Sequence, residues 1–319
     1  MRRFGEVDVA ALVRSAREGS PRAVARLITL VENEHPALPE VMATLAPHTG
    51  EAWIIGLTGS PGVGKSTTST MLVRAFRAAG RRVGVLAVDP SSPFSGGALL
   101  GDRIRMVDHA LDSGVYMRSM ASRGHLGGLA WAAPQALRVL DGAGCAVIIV
   151  ETVGVGQSEI EIAGLADTTV VLLAPGMGDG VQAAKAGILE VGDLFVVNKA
   201  DRDGADSTVR ELRHMISLGD RTEPGTWRPP VVKTMADRGE GGQEVMAALH
   251  KHREHAESSG ELRRRRVRRA EREVEAIALA QLRMWMRGVP DGSSLPEVAE
   301  RVASGEIDPY AAARQVLDG

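Results

Sequence analysis

Hydrophobic positions along this chain change their spacing twice, and each change predicts a different kind of structure. Up to about residue 50, Val24, Leu27, Ile28 and Val31 recur at helical spacing on one face, with Ser20-Pro21 as cap and first turn. Pro36, Pro39 and Pro47 then break the pattern. From Trp53 the apolar residues gather into short runs separated by helical stretches: Trp53 to Leu57, Val83 to Val88, Ala146 to Val150, Thr169 to Ala174, Leu194 to Val197 and Val231 to Lys233. Such alternation predicts an α/β fold with a mainly parallel central sheet flanked by helices. Past Gly241 the strand signal stops. A charged segment from Glu261 to Arg287 carries Val267, Ala270, Val274, Ile277 and Met284 at roughly heptad spacing, which predicts a long helix with a narrow apolar seam. Gly288, Pro290 and Gly292 end it, and Asp308-Pro309 caps a last short helix leading to Leu317. The expected division is an N-terminal helical extension over 1–50, a core over 51–257 and a C-terminal helical arm over 258–319.

The sharpest chemical signal follows the first apolar run. Gly59-Ser60-Pro61-Gly62-Val63-Gly64-Lys65-Ser66, with Thr67 beside it, stands between a predicted strand and a predicted helix, the context required of a phosphate-binding P-loop. The glycines let backbone N–H groups converge on phosphate oxygens at a helix N-terminus, Lys65 bridges the terminal phosphates, and the Ser66 hydroxyl reaches a magnesium ion. Such a loop needs carboxylates at the ends of neighbouring strands. Asp89 and Glu151 each end an apolar run, so the metal-site candidates are Ser66, Asp89 and Glu151. Asp102 reads equally as an ordinary loop aspartate and as a further metal or water-orienting group. Lys65, Asp102 and Glu151 are the catalytic candidates. Gly154, the third residue after Glu151, suits close approach of a backbone N–H to a terminal phosphate.

Asn198-Lys199-Ala200-Asp201 ends the run Leu194 to Val197 and selects the base. A carboxylate such as Asp201 accepts from both the ring N–H and the exocyclic amine of guanine, and adenine lacks that donor pair. Lys199 is placed to lie over the base and Asn198 to tie its loop to the P-loop. The expected ligands are therefore GTP and GDP with Mg2+.

Composition narrows the setting. The chain is 44% hydrophobic and 24% charged with a net charge of −2, so no global field draws it to nucleic acid or membrane. Its single cysteine, Cys145, precedes an apolar run, reads as a core residue and rules out a disulfide framework. No apolar run reaches membrane-spanning length, so a cytoplasmic protein is expected.

Taken together these motifs resemble the MeaB/ArgK family of P-loop GTPases, relatives of the nickel-insertion GTPases. The family-specific stretches are Val88 to Gly97, Leu100 to Arg103, Glu151 to Glu159 and Pro175 to Gly187. The resemblance implies a homodimer with a C-terminal dimerisation arm, associated with adenosylcobalamin-dependent methylmalonyl-CoA mutase. There it gates cofactor loading and protects the mutase from inactivation, with GTP hydrolysis as the timing step. It also implies mobile loops after Asp89, after Glu151 and over Gly176 to Lys185, in which Gly154, Gln157, Asp179, Gln182 and Lys185 respond to nucleotide or contact the partner. Two positions depart from the family: Gly180, where many members carry an acid, and Met235, where serine is usual in the second base-contacting loop. That loop contacts guanine chiefly through the Ala236 backbone, so the resemblance carries Met235 and Ala236 as base contacts.

Other features read plainly. The run Arg263 to Arg269 is followed by Glu271, Glu273 and Glu275, which favours a solvated helix face over a nucleic-acid patch. His250, His252 and His255 are spaced around a helix, which suits a surface helix end rather than a metal site. Met284, Trp285 and Met286 belong to the dimer seam. Competing functions are a nickel-insertion GTPase, which needs a cysteine or histidine cluster, an amino-acid transport kinase, which needs a phosphoacceptor pocket, and a binding module without hydrolysis.

Overall fold

The short apolar runs become strands of one seven-stranded sheet in the computed structural model, which describes residues 7–90, 112–122, 132–152, 158–176, 189–218, 225–288 and 294–318. The strands are β1 Trp53–Thr58, β2 Val83–Pro90, β3 Val115–Ser122, β4 Val147–Thr152, β5 Thr168–Leu173, β6 Leu194–Val197 and β7 Val231–Lys233. They lie in the order β3-β2-β4-β1-β5-β6-β7, and every pairing is parallel. Parallel neighbours require crossovers. Among the described residues these contain α4 Lys65–Ala78, α5 Ala132–Gly142, α6 Ser158–Leu165, the single turn α7 Leu189–Val191 and α8 Ala205–Leu218. Helix α9 Gly242–Ser258 follows β7.

Helices on both faces explain why the strands read as unbroken apolar runs. All residues of β1, β4, β5 and β6 are buried. Ile54, Leu86, Val88, Ile148 and Val150 pack on one side with α5 and the N-terminal helices. Trp53, Ile55, Leu57, Val83, Val85, Val147 and Ile149 pack on the other with α4 and α9.

The N-terminal segment forms α1 Val9–Arg17, α2 Pro21–Glu32 and α3 Leu38–Leu45. Ser20 caps α2 by accepting from Ala23 N–H, with Pro21 in the first turn, and Val24, Leu27, Ile28 and Val31 form its buried face. The prolines do not simply break the helical pattern as expected, because Pro39 lies in the first turn of α3, where its missing N–H costs nothing. The sequence pattern also misses β3. Its centre is Arg118-Ser119 rather than an apolar run, and Arg118 pairs at 2.6 Å with Glu32 of α2.

By internal contacts the chain forms two compact units, Met1–Arg269 and Ala270–Gly319. The boundary falls within α10 Glu261–Gly288. The second unit holds α11 Leu295–Ala303 and α12 Pro309–Asp318 around a small core of Val298, Ala312 and Val316. Asp308 caps α12 by accepting from Tyr310 and Ala311 N–H, while α11, capped by Ser294 and Glu297, has no counterpart in the sequence reading.

The edge of the sheet where β1, β5 and β6 begin is held by charges. Asp193, immediately before β6, takes a two-pronged ion pair from Arg265 at 2.6 and 2.9 Å, and its partner His252 Nε2 lies at 3.2 Å. Thr168 Oγ1 accepts from Trp53 Nε1 at 3.0 Å and lies 2.9 Å from His252 Nδ1. All four groups are satisfied when the Thr168 hydroxyl donates to Nδ1 and His252 carries its proton on Nε2 toward Asp193. Asp167, immediately before β5, accepts from Ile54 N–H, Arg266 and Arg269. Burial alone would raise the Asp193 carboxyl, but the hydrogen bonds from His252 and Arg265 outweigh it and hold the group at about 2.

This network corrects two expectations. His252 is only 2% exposed and is not part of a surface helix end. Arg265, Arg266 and Arg269 are not a solvated face; they reach the bases of β5 and β6. Cys145 is buried as expected, and burial pushes its thiol pKa up, so it is neither nucleophile nor ready metal ligand.

Candidate nucleotide site

At the opposite edge of the sheet β1 runs into the P-loop. Gly59 and Gly64 adopt φ of 140° and 96°, and a Cβ on either would lie 2.2 Å from Leu172 O or 2.3 Å from Asn198 Nδ2. Only glycine lets the loop lie this close to β5 and to Asn198. Helix α4 begins at Lys65 with neither a side-chain cap nor an acid in its first turn, so its N-terminal N–H groups favour an anion. Lys65 is 9% exposed, and its ammonium donates to the carbonyls of Gly59 and Ser60, the latter at 3.1 Å.

Strand β4 is the neighbour of β1 and brings Glu151 to the same edge, in register with Leu57. Glu151 is 2% exposed, and Ser66 Oγ donates to its Oε1 at 3.3 Å. A hydroxyl and a carboxylate so close form a hard-oxygen donor pair of the kind that, with phosphate oxygens and water, holds Mg2+. The residues present thus fit that ion. The backbone of Asp89 lies at the end of β2, paired in register with Ala121 of β3. Asp102, Gly154, Gln157, Asp179, Gly180, Gln182 and Lys185 lie outside the described residues.

The base loop and P-loop form one connected body. Asn198, 3% exposed, follows β6 directly and donates from Nδ2 to Val63 O at 2.8 Å. Its Oδ1 accepts from Thr234 Oγ1 at 3.0 Å and from Ala236 N–H at 3.1 Å. Lys199 occupies the left-handed region at φ 57°, and its ammonium donates to Gly62 O at 2.6 Å. Ala200 N–H donates to Thr234 O at 3.0 Å, which fixes the turn carrying exposed Asp201. Met235 to Glu240 close a tight turn through an antiparallel bridge. Within it Arg238 lies with Nη2 3.9 Å from Asp201 Oδ2 and Nη1 4.0 Å from Met235 Sδ. Sequence reasoning singles out neither Thr234 nor Arg238. Thr234 immediately precedes Met235 of the second base-contacting loop, whereas Arg238 reaches the site only through the turn.

The chain matches known proteins over most of its length. The sequence model of the family described as "Methylmalonyl Co-A mutase-associated GTPase MeaB" matches residues 24–289. The chain belongs to the MeaB family of GTPases. It is 48% identical over 307 residues to a putative GTPase of Pyrococcus abyssi, covering 96% of this chain and 95% of that one. It is 38% identical to the GTPase ArgK of Escherichia coli over 77% of this chain and 76% of that one. It is 34% identical to the mouse protein named methylmalonic aciduria type A homolog, mitochondrial, over 94% and 76% of the two chains. A solved structure described as LAO/AO transport system kinase superposes with a TM-score of 0.71 at 26% identity, covering 99% of this chain and 98% of that one. As a MeaB-family member the protein binds guanine nucleotide and hydrolyses GTP. Among the described residues no helix is long and apolar enough to cross a membrane.

Proposed function

We propose that this MeaB-family protein is a Mg2+-dependent GTP-driven switch that serves adenosylcobalamin-dependent methylmalonyl-CoA mutase, gating cofactor loading and protecting the mutase from inactivation. The observation that carries the switch reading is the bond from Asn198 to Val63, which makes the base-reading loop and the phosphate loop one body. Lys65 and the first turn of α4 bind the phosphates, and Ser66, Asp89, Asp102 and Glu151 form the metal environment. Held there, Mg2+ would supply positive charge against the negative charge of the phosphates. Lys65 offsets charge on the same phosphates, buried Glu151 orients its neighbours, and Asp201 reads guanine beside Lys199, Met235 and Ala236. The loops with Gly154, Gln157, Asp179, Gln182 and Lys185 carry the nucleotide state to the partner.

Support for the mutase as partner comes from the names of the family and of the mouse relative. The protein acts as a cytoplasmic homodimer through the second half of α10. Val274, Leu279, Leu282, Met284 and Trp285 are large apolar residues left exposed there, an arrangement suited to a second copy. Charged substitutions at Val274 and Met284 are expected to shift the particle mass from two chains to one, read by light scattering. An unchanged mass would remove the arm from the interface. The nickel-insertion reading is disfavoured by the burial of Cys145. The transport-kinase reading, suggested by the name of the superposed LAO/AO transport system kinase, requires phosphotransfer to a protein, which labelled GTP would reveal.

Asp201→Asn tests the base assignment. The variant is expected to bind GTP about ten- to hundredfold more weakly, the loss of a charge-assisted hydrogen bond worth about 1.5–3 kcal/mol. It gains XTP instead, because the new amide N–H donates to the C2 carbonyl of xanthine. Undiminished guanine selectivity would remove Asp201 from the site.

A further inference from the structure

The turn from Met235 to Glu240 presents a cation to the residue assigned to the base. Its backbone is fixed by Met235 N–H to Glu240 O at 3.1 Å and Arg238 N–H to Met235 O at 2.9 Å, and it is joined to the opposite loop through Thr234. On this frame Arg238 brings Nη1 to 4.0 Å from Met235 Sδ and Nη2 to 3.9 Å from Asp201 Oδ2. At 3.9 Å this is a loose ion pair rather than a hydrogen bond, and its two partners have matching chemistry. The ring N–H and exocyclic amine that guanine offers to a carboxylate form a guanidine fragment, and the arginine side chain carries the same planar pair of donors.

We propose that Arg238 is an internal stand-in for guanine: between nucleotides it occupies Asp201, and the incoming base must displace it. The proposal rests on the assignment of Asp201 to the guanine edge and deepens it. Arg238 and Asp201 side chains are 58% and 45% exposed, so their pairing is weak and easily displaced. A tight buried pair would block the nucleotide; a weak exposed one sets its affinity.

The test is stopped-flow binding of fluorescently labelled GDP to the full chain, wild type, Arg238→Ala, Asp201→Asn and the double variant. An exposed pair of this kind predicts that Arg238→Ala raises the association rate and affinity about two- to sixfold, with the dissociation rate unchanged. The gain should vanish in the Asp201→Asn background, and at about 0.5 M salt, where exposed charges are screened. Unchanged association, weaker binding by Arg238→Ala, or a gain that persists without the Asp201 charge would overturn the proposal. Failure of the underlying assignment is distinguishable, since Asp201→Asn alone would then keep its guanine preference.

Discussion

Lys65→Ala is expected to lower GTP turnover by about 10²–10³-fold, the usual cost of losing one preorganised donor at a site of developing charge. Lys65 is the buried cation of the P-loop, held by two carbonyls of the loop it serves. Its ammonium therefore does two jobs. It ties the Gly59-Ser60 backbone to the start of α4, and in the proposed function it meets phosphate oxygens as a point charge. Alanine removes both, so the weakening should appear in nucleotide affinity as well as in kcat. The fold should survive, because the apolar layers under the loop do not involve Lys65. Steady-state phosphate release at saturating GTP, with circular dichroism as a folding control, checks this. Turnover within tenfold of wild type would mean that the P-loop lysine is not the phosphate cation.

Asp193→Ala is expected to cost about 3–5 kcal/mol of stability, the range found when one partner of a buried ion pair is removed. The substitution leaves the Arg265 guanidinium without its two-pronged acceptor and His252 without the acceptor for Nε2. Trp53 donates to Thr168 and Trp227 donates to Asp193 O, so urea unfolding followed by tryptophan fluorescence reads this region directly. The wild type should show the same dependence on pH. A carboxyl held at about 2, below its unfolded value near ~3.9, contributes stability that is complete above that unfolded value. The contribution, on the order of 2–3 kcal/mol, is lost as pH falls toward about 2, and Asp193→Ala should lack this part of the acid sensitivity. A loss below about 1 kcal/mol would show the pair to be replaceable by water.

Local signals carry much of this protein. The P-loop, the base tetrapeptide and six of the seven strands are legible because each is written in consecutive residues: a glycine pattern after an apolar run, or an apolar run between turns. What escapes depends on distant partners. The arginines of α10 read as solvated because their acceptors, Asp193 and Asp167, lie 72 and 99 residues away in the chain. His252 reads as a surface residue because its partner Thr168 is 84 residues distant. Strand β3 is hidden since Arg118 interrupts its apolar character, and its charge is met by Glu32 of a helix that precedes the whole sheet. Arg238 carries no motif at all, and only the turn from Met235 to Glu240 aims it at Asp201.

In the proposed function GTP turnover serves a partner. Its most direct test is phosphate release by the purified protein with Mg2+, on GTP and ATP in parallel, with and without cobalamin-loaded methylmalonyl-CoA mutase. GTP and not ATP is expected to be turned over, and faster when the mutase is present. GTP turnover indifferent to the mutase would contradict the proposed partner, and a preference for ATP would contradict the reading of Asp201.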